Sequence, residues 1–179
     1  VKCLYIGTLG CSLYFDQETN SYTTPDPKSL FLTLKKAVLL NYKVVIMEVS
    51  SHALDQDRLG PIRFSSAAFT SFSQDHLDYH ISMKQYWYSK YKLFSEYITK
   101  DGNIFFHYSL KNKEKTYQTK VARCHYYGID SNINRTMSEN QIKVEHTDLQ
   151  GSLLRFEKDS HKDLIRIPYI GKHNLDNFI

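Results

Sequence analysis

Between Val44 and Phe94 the sequence gathers Glu48, Ser50, Ser51, His52, Gln56, Arg58, Asp75, His76, Asp78 and His80, a density of chemistry-bearing side chains found nowhere else in the chain. Glu48 closes an apolar, β-branched run, KVVIME, and the later string DHLDYH supplies His76 between acidic neighbours. Carboxylate oxygens with an imidazole, and no thiolate nearby, suit a hard or borderline divalent ion such as Mg²⁺ or Mn²⁺ better than structural zinc. The same residues would equally make a capped, hydrogen-bonded loop whose histidines are solvated.

Two further constellations lie in this stretch. Ser50 and Ser51 at the start of a short helical turn, with Gln56 and Arg58 just beyond, suit a phosphate or carboxylate; an N-cap and a surface ion pair would use the same residue types. Lys90 falls on the apolar face of a helix, and a buried lysine costs on the order of several kcal/mol unless it is neutral, paired or modified. It either snorkels to solvent or stays a neutral, nucleophilic amine, able to take up CO₂ as a carbamate and so become an anion that binds metal. No GxxxxGK[ST] string occurs in the chain, so these residues by themselves do not argue for ATP.

The elements that must position these groups follow from pattern. Residues 2–6 form a short apolar run closed by Gly7 and predict a buried strand, GTLG a turn, and CSLYFDQETNSY an irregular polar segment. In TTPDP, Asp26 can cap a helix that starts near Pro27 and runs with helical period to Asn41. Residues 43–48 have no alternation, as in a central parallel strand, which puts Glu48 at the strand end where open α/β sheets bind ligands. One or two helical turns over 50–58, a strand at 64–69 and the loop TSFSQDHLDYH come next.

From Met83 to Tyr97, Tyr86, Trp87, Phe94 and Tyr97 recur at three- and four-residue steps, predicting the helix that carries Lys90. Beyond Asp101-Gly102 the sequence predicts strands over NIFFHY and VARCHYYGI, separated by a lysine-rich connection at 111–120, then a polar loop at 131–140. An antiparallel meander is expected at 141–147, 151–157 and 163–169. The terminal GKHNLDNFI reads as the start of a helix, which points to a fragment.

Composition narrows the class. With 179 residues, 41% hydrophobic and 23% charged, the chain is expected to be one soluble domain. A net charge of +4 without a block of lysines argues against nucleic acid. Cys3, Cys11 and Cys124 are odd in number and far apart, which fits a reducing cytoplasm better than a disulfide framework. No apolar run approaches the roughly 18 residues of a membrane span, and no signal-peptide pattern opens the chain.

Read together, GTLG, TTPDP, MEVSSHALDQDR, AAFTSFSQDHLDYH, YWYSKYKLF and GKHNLDN resemble the central domain of the Mur ligases, nearest to the type that adds the third residue of the peptidoglycan stem peptide. The resemblance implies an α/β fold, a mostly parallel sheet flanked by helices, with a β-rich antiparallel appendage over 101–170. It implies that residues 1–179 are part of the ATP-binding domain, without its phosphate loop. The implied reaction is ATP-dependent amide formation through an acyl phosphate, joining a free amino acid, diaminopimelate or lysine, to UDP-MurNAc-dipeptide.

By the same resemblance Glu48 and His76 are magnesium ligands, and Lys90 is a carbamylated lysine that helps to place a second Mg²⁺. Thr23, Thr24, Ser50, Gln56 and Arg58 bind the muramoyl dipeptide, and Asn174 and Asn177 lie against the adenine of ATP. Ser71 stands where the family usually has asparagine. Two other readings remain: a folylpolyglutamate-synthase-like ligase, and a binding module on the same scaffold without catalysis.

Overall fold

The computed structural model describes residues 1–13, 16–18, 22–110, 123–130, 135–136, 141–158, 161–171 and 174–175. It divides into two compact units, one of Val1–Arg63 with Gln74–Tyr97, the other of Phe64–Ser73 with Ile98–Ile179.

The first unit opens with β1 (Cys3–Gly7), β2 (Gly10–Leu13) and β3 (Asp16–Glu18), followed by α1 (Pro27–Leu39), β4 (Val44–Met47) and α2 (Ser51–Asp55). Its strand order is β3-β2-β1-β4, with β1 and β4 parallel and the other two pairings antiparallel. Within the segment read as irregular, the described residues 11–13 and 16–18 pair as antiparallel strands; cross-strand hydrogen bonds hold a sequence that has no hydrophobic alternation to announce it. Helix α1 starts as expected, Pro27 in its first turn and the Asp26 carboxylate accepting from the Ser29 amide at 3.1 Å. It packs Leu30 and Ala37 inward.

Strand β4 departs from expectation. It lies at the edge of its sheet, and Val44, Val45 and Ile46 are 43%, 41% and 58% exposed. A run of β-branched residues fits a doubly covered strand and an edge strand alike, because strand propensity does not encode burial. Among the described residues of this unit, β4 pairs with β1 alone.

After β5 (Phe64–Phe69), the first unit resumes with α3 (Leu77–His80) and α4 (Met83–Ser95). Tyr86, Trp87, Tyr91 and Phe94 of α4 are buried, as the three- and four-residue steps require. Ser82 caps α4 by accepting from the Gln85 amide at 3.3 Å. The core of this unit is built on Leu4, Ile6, Leu30, Leu54, Leu59 and Phe94, each at most 2% exposed.

In the second unit β5, β6 (Ile98–His107) and β7 (Arg123–Tyr127) form a three-stranded parallel sheet. Strand β6 begins before Asp101-Gly102 and carries an irregularity where Phe64 and Ser66 of β5 face Ile98 and Asn103. A separate antiparallel sheet runs β12-β11-β10-β9-β8, from β8 (Ile129–Asp130), β9 (Arg135–Thr136), β10 (Gln141–Asp148), β11 (Gly151–Lys158) and β12 (His161–Ile167). Ile142, Leu154, Ile167 and Leu175 form its core, with Val144 and Phe156 against them. The α/β class, with parallel strands, helices and an antiparallel meander, is the one the sequence implied.

Candidate functional site

In the first unit β1 and β4 end side by side, and their ends fix Glu48. The Glu48 amide continues the parallel ladder by donating to the Ile6 carbonyl at 2.8 Å. Its carboxylate takes Tyr5 Oη on Oε1, and on Oε2 both the Thr8 amide at 3.1 Å and Thr8 Oγ1 at 2.6 Å. Burial works against the charged carboxylate, but the hydrogen bonds from Thr8 and Tyr5 outweigh it and hold the group below its usual range. Gly7 leaves the room for this: a Cβ there would lie 2.7 Å from Glu48 Cδ.

The TTP segment braces the same strand end. Thr24 is buried, donates from Oγ1 to the Glu48 carbonyl at 3.0 Å and accepts from the Ser50 amide at 2.9 Å. Its hydroxyl is thereby used within the protein. Thr23 is partly exposed, its Oγ1 3.2 Å from Thr8 Oγ1; because the Thr8 proton goes to Glu48, Thr23 is the donor. Ser50 caps α2 by accepting from the Ala53 amide at 3.2 Å.

Beyond α2 the chain turns at Asp57, which has φ 51°. Arg58 lies over the Tyr22 ring, its Cζ 5.2 Å from the centroid, and donates from Nε to Gln56 Oε1 at 2.8 Å and from Nη1 to the Thr24 carbonyl at 3.3 Å. The turn is fastened to α4 by Lys92, which donates to Asp57 at 2.7 Å and to the Leu54 carbonyl at 3.0 Å.

His76 precedes α3 in a left-handed conformation, φ 53°, with its amide donating to its neighbour Asp75 at 2.8 Å. Its ring meets those of His52 and Tyr86, with centroids 5.0 Å and 5.8 Å away. Lys90 Nζ lies over the same Tyr86 ring. Burial lowers the Lys90 amine from its ordinary value, and the Asp75 charge opposes that shift. Burial also lowers His52 and His80, each reinforced by repulsion from a neighbouring histidine.

The sequence-predicted residues thus fall into linked groups of one unit: Glu48 with Thr23, Thr24 and Ser50; Gln56 with Arg58; His76 with Lys90 around Tyr86 and Asp75. Asn174 lies in the other unit, exposed, donating to the Ile170 carbonyl at 3.0 Å, and Asn177 is outside the described residues. Sequence reasoning missed Tyr5, Thr8, Asp55, Tyr79 and Ser89. Tyr5 alone left a trace, since it shares a strand face with Gly7 two residues on.

A fixed carboxylate at the end of a parallel strand, a guanidinium held on an aromatic ring, and a half-buried amine on a packed helix are features of an α/β protein whose polar side chains gather near its strand ends. The sequence model of the family described as the Mur ligase middle domain matches residues 2–179. The chain belongs to that family.

Among curated relatives, the UDP-N-acetylmuramoyl-L-alanyl-D-glutamate–2,6-diaminopimelate ligase of Prochlorococcus marinus is 33% identical over 177 residues, covering 91% of this chain and 33% of the relative. The corresponding L-lysine ligase of Staphylococcus haemolyticus is 31% identical, over 98% of this chain and 35% of its own. This chain spans about a third of the length of these relatives. A solved diaminopimelate ligase of the same description superposes with a TM-score of 0.75 at 22% identity, over 98% of this chain and 35% of that one. The MurF ligase of Thermotoga maritima, solved with ADP, gives 0.55 at 12% identity, over 82% and 34%. At these identities the structural matches establish the fold.

Proposed function

We propose that this chain is the ATP-handling core of a cytoplasmic ligase that joins a free amino acid, diaminopimelate or lysine, to UDP-MurNAc-L-Ala-D-Glu in peptidoglycan synthesis. The observation that carries this reading is the convergence in one unit of the strings MEVSSHALDQDR and DHLDYH, in a chain about one third identical to ligases named for that reaction.

Among the described residues no group of three His, Cys, Asp or Glu side chains converges to hold a metal. Mg²⁺ keeps several waters and commonly binds through one or two protein ligands plus substrate phosphates. Glu48 would supply an ionised oxygen and His76 an imidazole, with Lys90 able to add an anion once its amine has taken up CO₂ and released a proton. Bound there, Mg²⁺ would neutralise charge that develops on the phosphates.

The chain's own groups prepare the acceptor. Arg58, whose Nη2 makes no hydrogen bond among the described residues, would meet a carboxylate, and the partly exposed Thr23 precedes the Thr24 carbonyl on which Arg58 is held. Thr24 fixes the backbone on which Glu48 and Ser50 stand.

The test is phosphate release by the full-length gene product given ATP, magnesium, UDP-MurNAc-L-Ala-D-Glu and either diaminopimelate or L-lysine. Release that requires every component is expected, and the amino acid that supports it completes the assignment. Turnover with a folate or other glutamyl acceptor but not with the muramoyl dipeptide would overturn the reading.

A further inference from the structure

Two chains of hydrogen bonds meet on Asp55, a residue outside every constellation described so far. Asp55 Oδ2 accepts from Tyr79 Oη at 2.9 Å, and Asp55 Oδ1 accepts from Ser89 Oγ at 3.1 Å. An ionised carboxylate only accepts, so both hydroxyl protons point at Asp55 and both hydroxyl oxygens must accept from elsewhere. The polarity of everything upstream is then settled.

On one side, Tyr79 Oη accepts from Gln56 Nε2 at 3.1 Å. This fixes which way round the Gln56 amide lies and turns its Oε1 toward Arg58 Nε, 2.8 Å away. With Nη1 on the Thr24 carbonyl and the guanidinium face on Tyr22, the plane and the rotation of Arg58 are both determined. Nη2 makes no hydrogen bond among the described residues, which leaves both its protons for a ligand.

On the other side, Ser89 Oγ lies 3.5 Å from His80 Nδ1, and His80 Nε2 lies 2.9 Å from Ser51 Oγ. With the Ser89 proton on Asp55, His80 carries its proton on Nδ1 and accepts from Ser51. Ser51, His80 and Ser89 are each no more than 5% exposed. Ser89 is also the residue before Lys90 on α4, so the carboxylate that orients Arg58 is tied to the helix bearing Lys90.

We propose that Asp55, acting through Tyr79, is the positioning residue that sets the amide of Gln56 and hence the guanidinium of Arg58 for the carboxylate of the acceptor substrate. This rests on the ligase reading above. Neither Asp55 nor Tyr79 touches substrate; their effect is to present Arg58 in one orientation instead of several.

The test uses the full-length enzyme. Tyr79→Phe removes the link without changing the ring that packs on His52, 4.2 Å between centroids, and Asp55→Ala removes the acceptor from both chains. Each variant is expected to raise KM for the acceptor by about five- to tenfold, the loss of roughly one hydrogen bond, with KM for ATP unchanged. In an Arg58→Lys background, which has no Nε fork to be oriented, Tyr79→Phe is expected to add nothing.

An additive effect in that background, or an unchanged acceptor KM in either single variant, would overturn the proposal while leaving the ligase assignment intact. If the wild-type enzyme does not use the muramoyl dipeptide at all, the parent reading fails first and the two outcomes are distinguished.

Discussion

The Nζ of Lys90 lies 5.0 Å from the centroid of the Tyr86 ring, one turn earlier on the same helix. The ring's negative face partly replaces lost water, and Asp75 adds opposite charge, yet burial prevails and lowers the amine from its ordinary value.

Lys90→Met is therefore expected to stabilise the protein and, on the proposed ligase reading, to abolish turnover by the full-length gene product. A lysine lowered in the folded state destabilises fully below that lowered value, and the penalty fades as pH rises to the unfolded value of about 10.4. The gain in Tm, about 2–4 °C for each kcal/mol recovered in a protein of this size, should be present at pH 7 and shrink in alkaline buffer. Thermal melts across that range decide it, and equal gains at every pH would contradict the burial argument.

Glu48 behaves in the opposite sense. Its carboxyl is held below the usual range, so its stabilisation is complete above the unfolded value and disappears as pH falls through the folded one. Thr8→Val removes the hydroxyl that donates to Oε2 and leaves the backbone amide in place, at a cost of about 1 kcal/mol at pH 7. Denaturant melts should show the gap between variant and wild type closing below pH 4, the ordinary carboxylate range being about 4.

A Cβ at Gly7 would meet the Tyr5 ring, with Cζ 2.6 Å away, as well as the Glu48 carboxyl. Gly7→Ala is expected to cost about 1–3 kcal/mol by overpacking and, on the proposed reading of Glu48 as a magnesium ligand, to raise the magnesium concentration at which the full-length gene product is half-maximally active. Titration of activity against magnesium would reveal it; an unaltered midpoint would mean that Glu48 keeps its pose despite the extra methyl.

Helix α3 is bracketed by two non-glycine residues of positive φ, His76 at 53° and Ile81 at 61°. Ile81 is 82% exposed and buries little in return. Replacing it with glycine removes a strained β-branched side chain from a conformation glycine adopts freely, for a net gain of up to about 1 kcal/mol. Chemical denaturation of Ile81→Gly would test this, and destabilisation would mean that the side chain packs usefully after all.

In the second unit Gly151 opens β11 with φ 132°, and a Cβ would sit 2.9 Å from the Ile167 carbonyl carbon and 3.0 Å from Pro168 Cα. Both obstacles are backbone. Gly151→Ala is expected to cost at least about 2 kcal/mol, with loss of amide protection along β11 and β12 visible by hydrogen exchange.

What the sequence revealed depended on whether the relevant physics was local. The Asp26 cap, Pro27 at the helix start and the apolar stripe of α4 are set by residues within a turn or two of one another, and each fell where the pattern put it. The meander was legible for the same reason, its strands being separated by short turns. The β2–β3 pairing was not, because its largely polar strands carry no hydrophobic alternation even though they are neighbours in the chain, and the exposure of β4 was not, since coverage is decided by partners distant in sequence. The site divides in the same way. Glu48 announces itself at a strand end, whereas Thr8 reaches it across 40 residues of sequence and Tyr79 reaches Asp55 across 24, distances at which no periodicity survives.

The open edge of β4 also bears on how this chain, taken by itself, behaves in concentrated solution. Val44, Val45 and Ile46 present an uncharged, β-branched row on a strand that, among the described residues, pairs on one side only, with no proline or bulge to interrupt it. Such a row templates strand addition from any second chain, so solubility should be limited here, and a lysine at Val45 would be the simplest gatekeeper against aggregation.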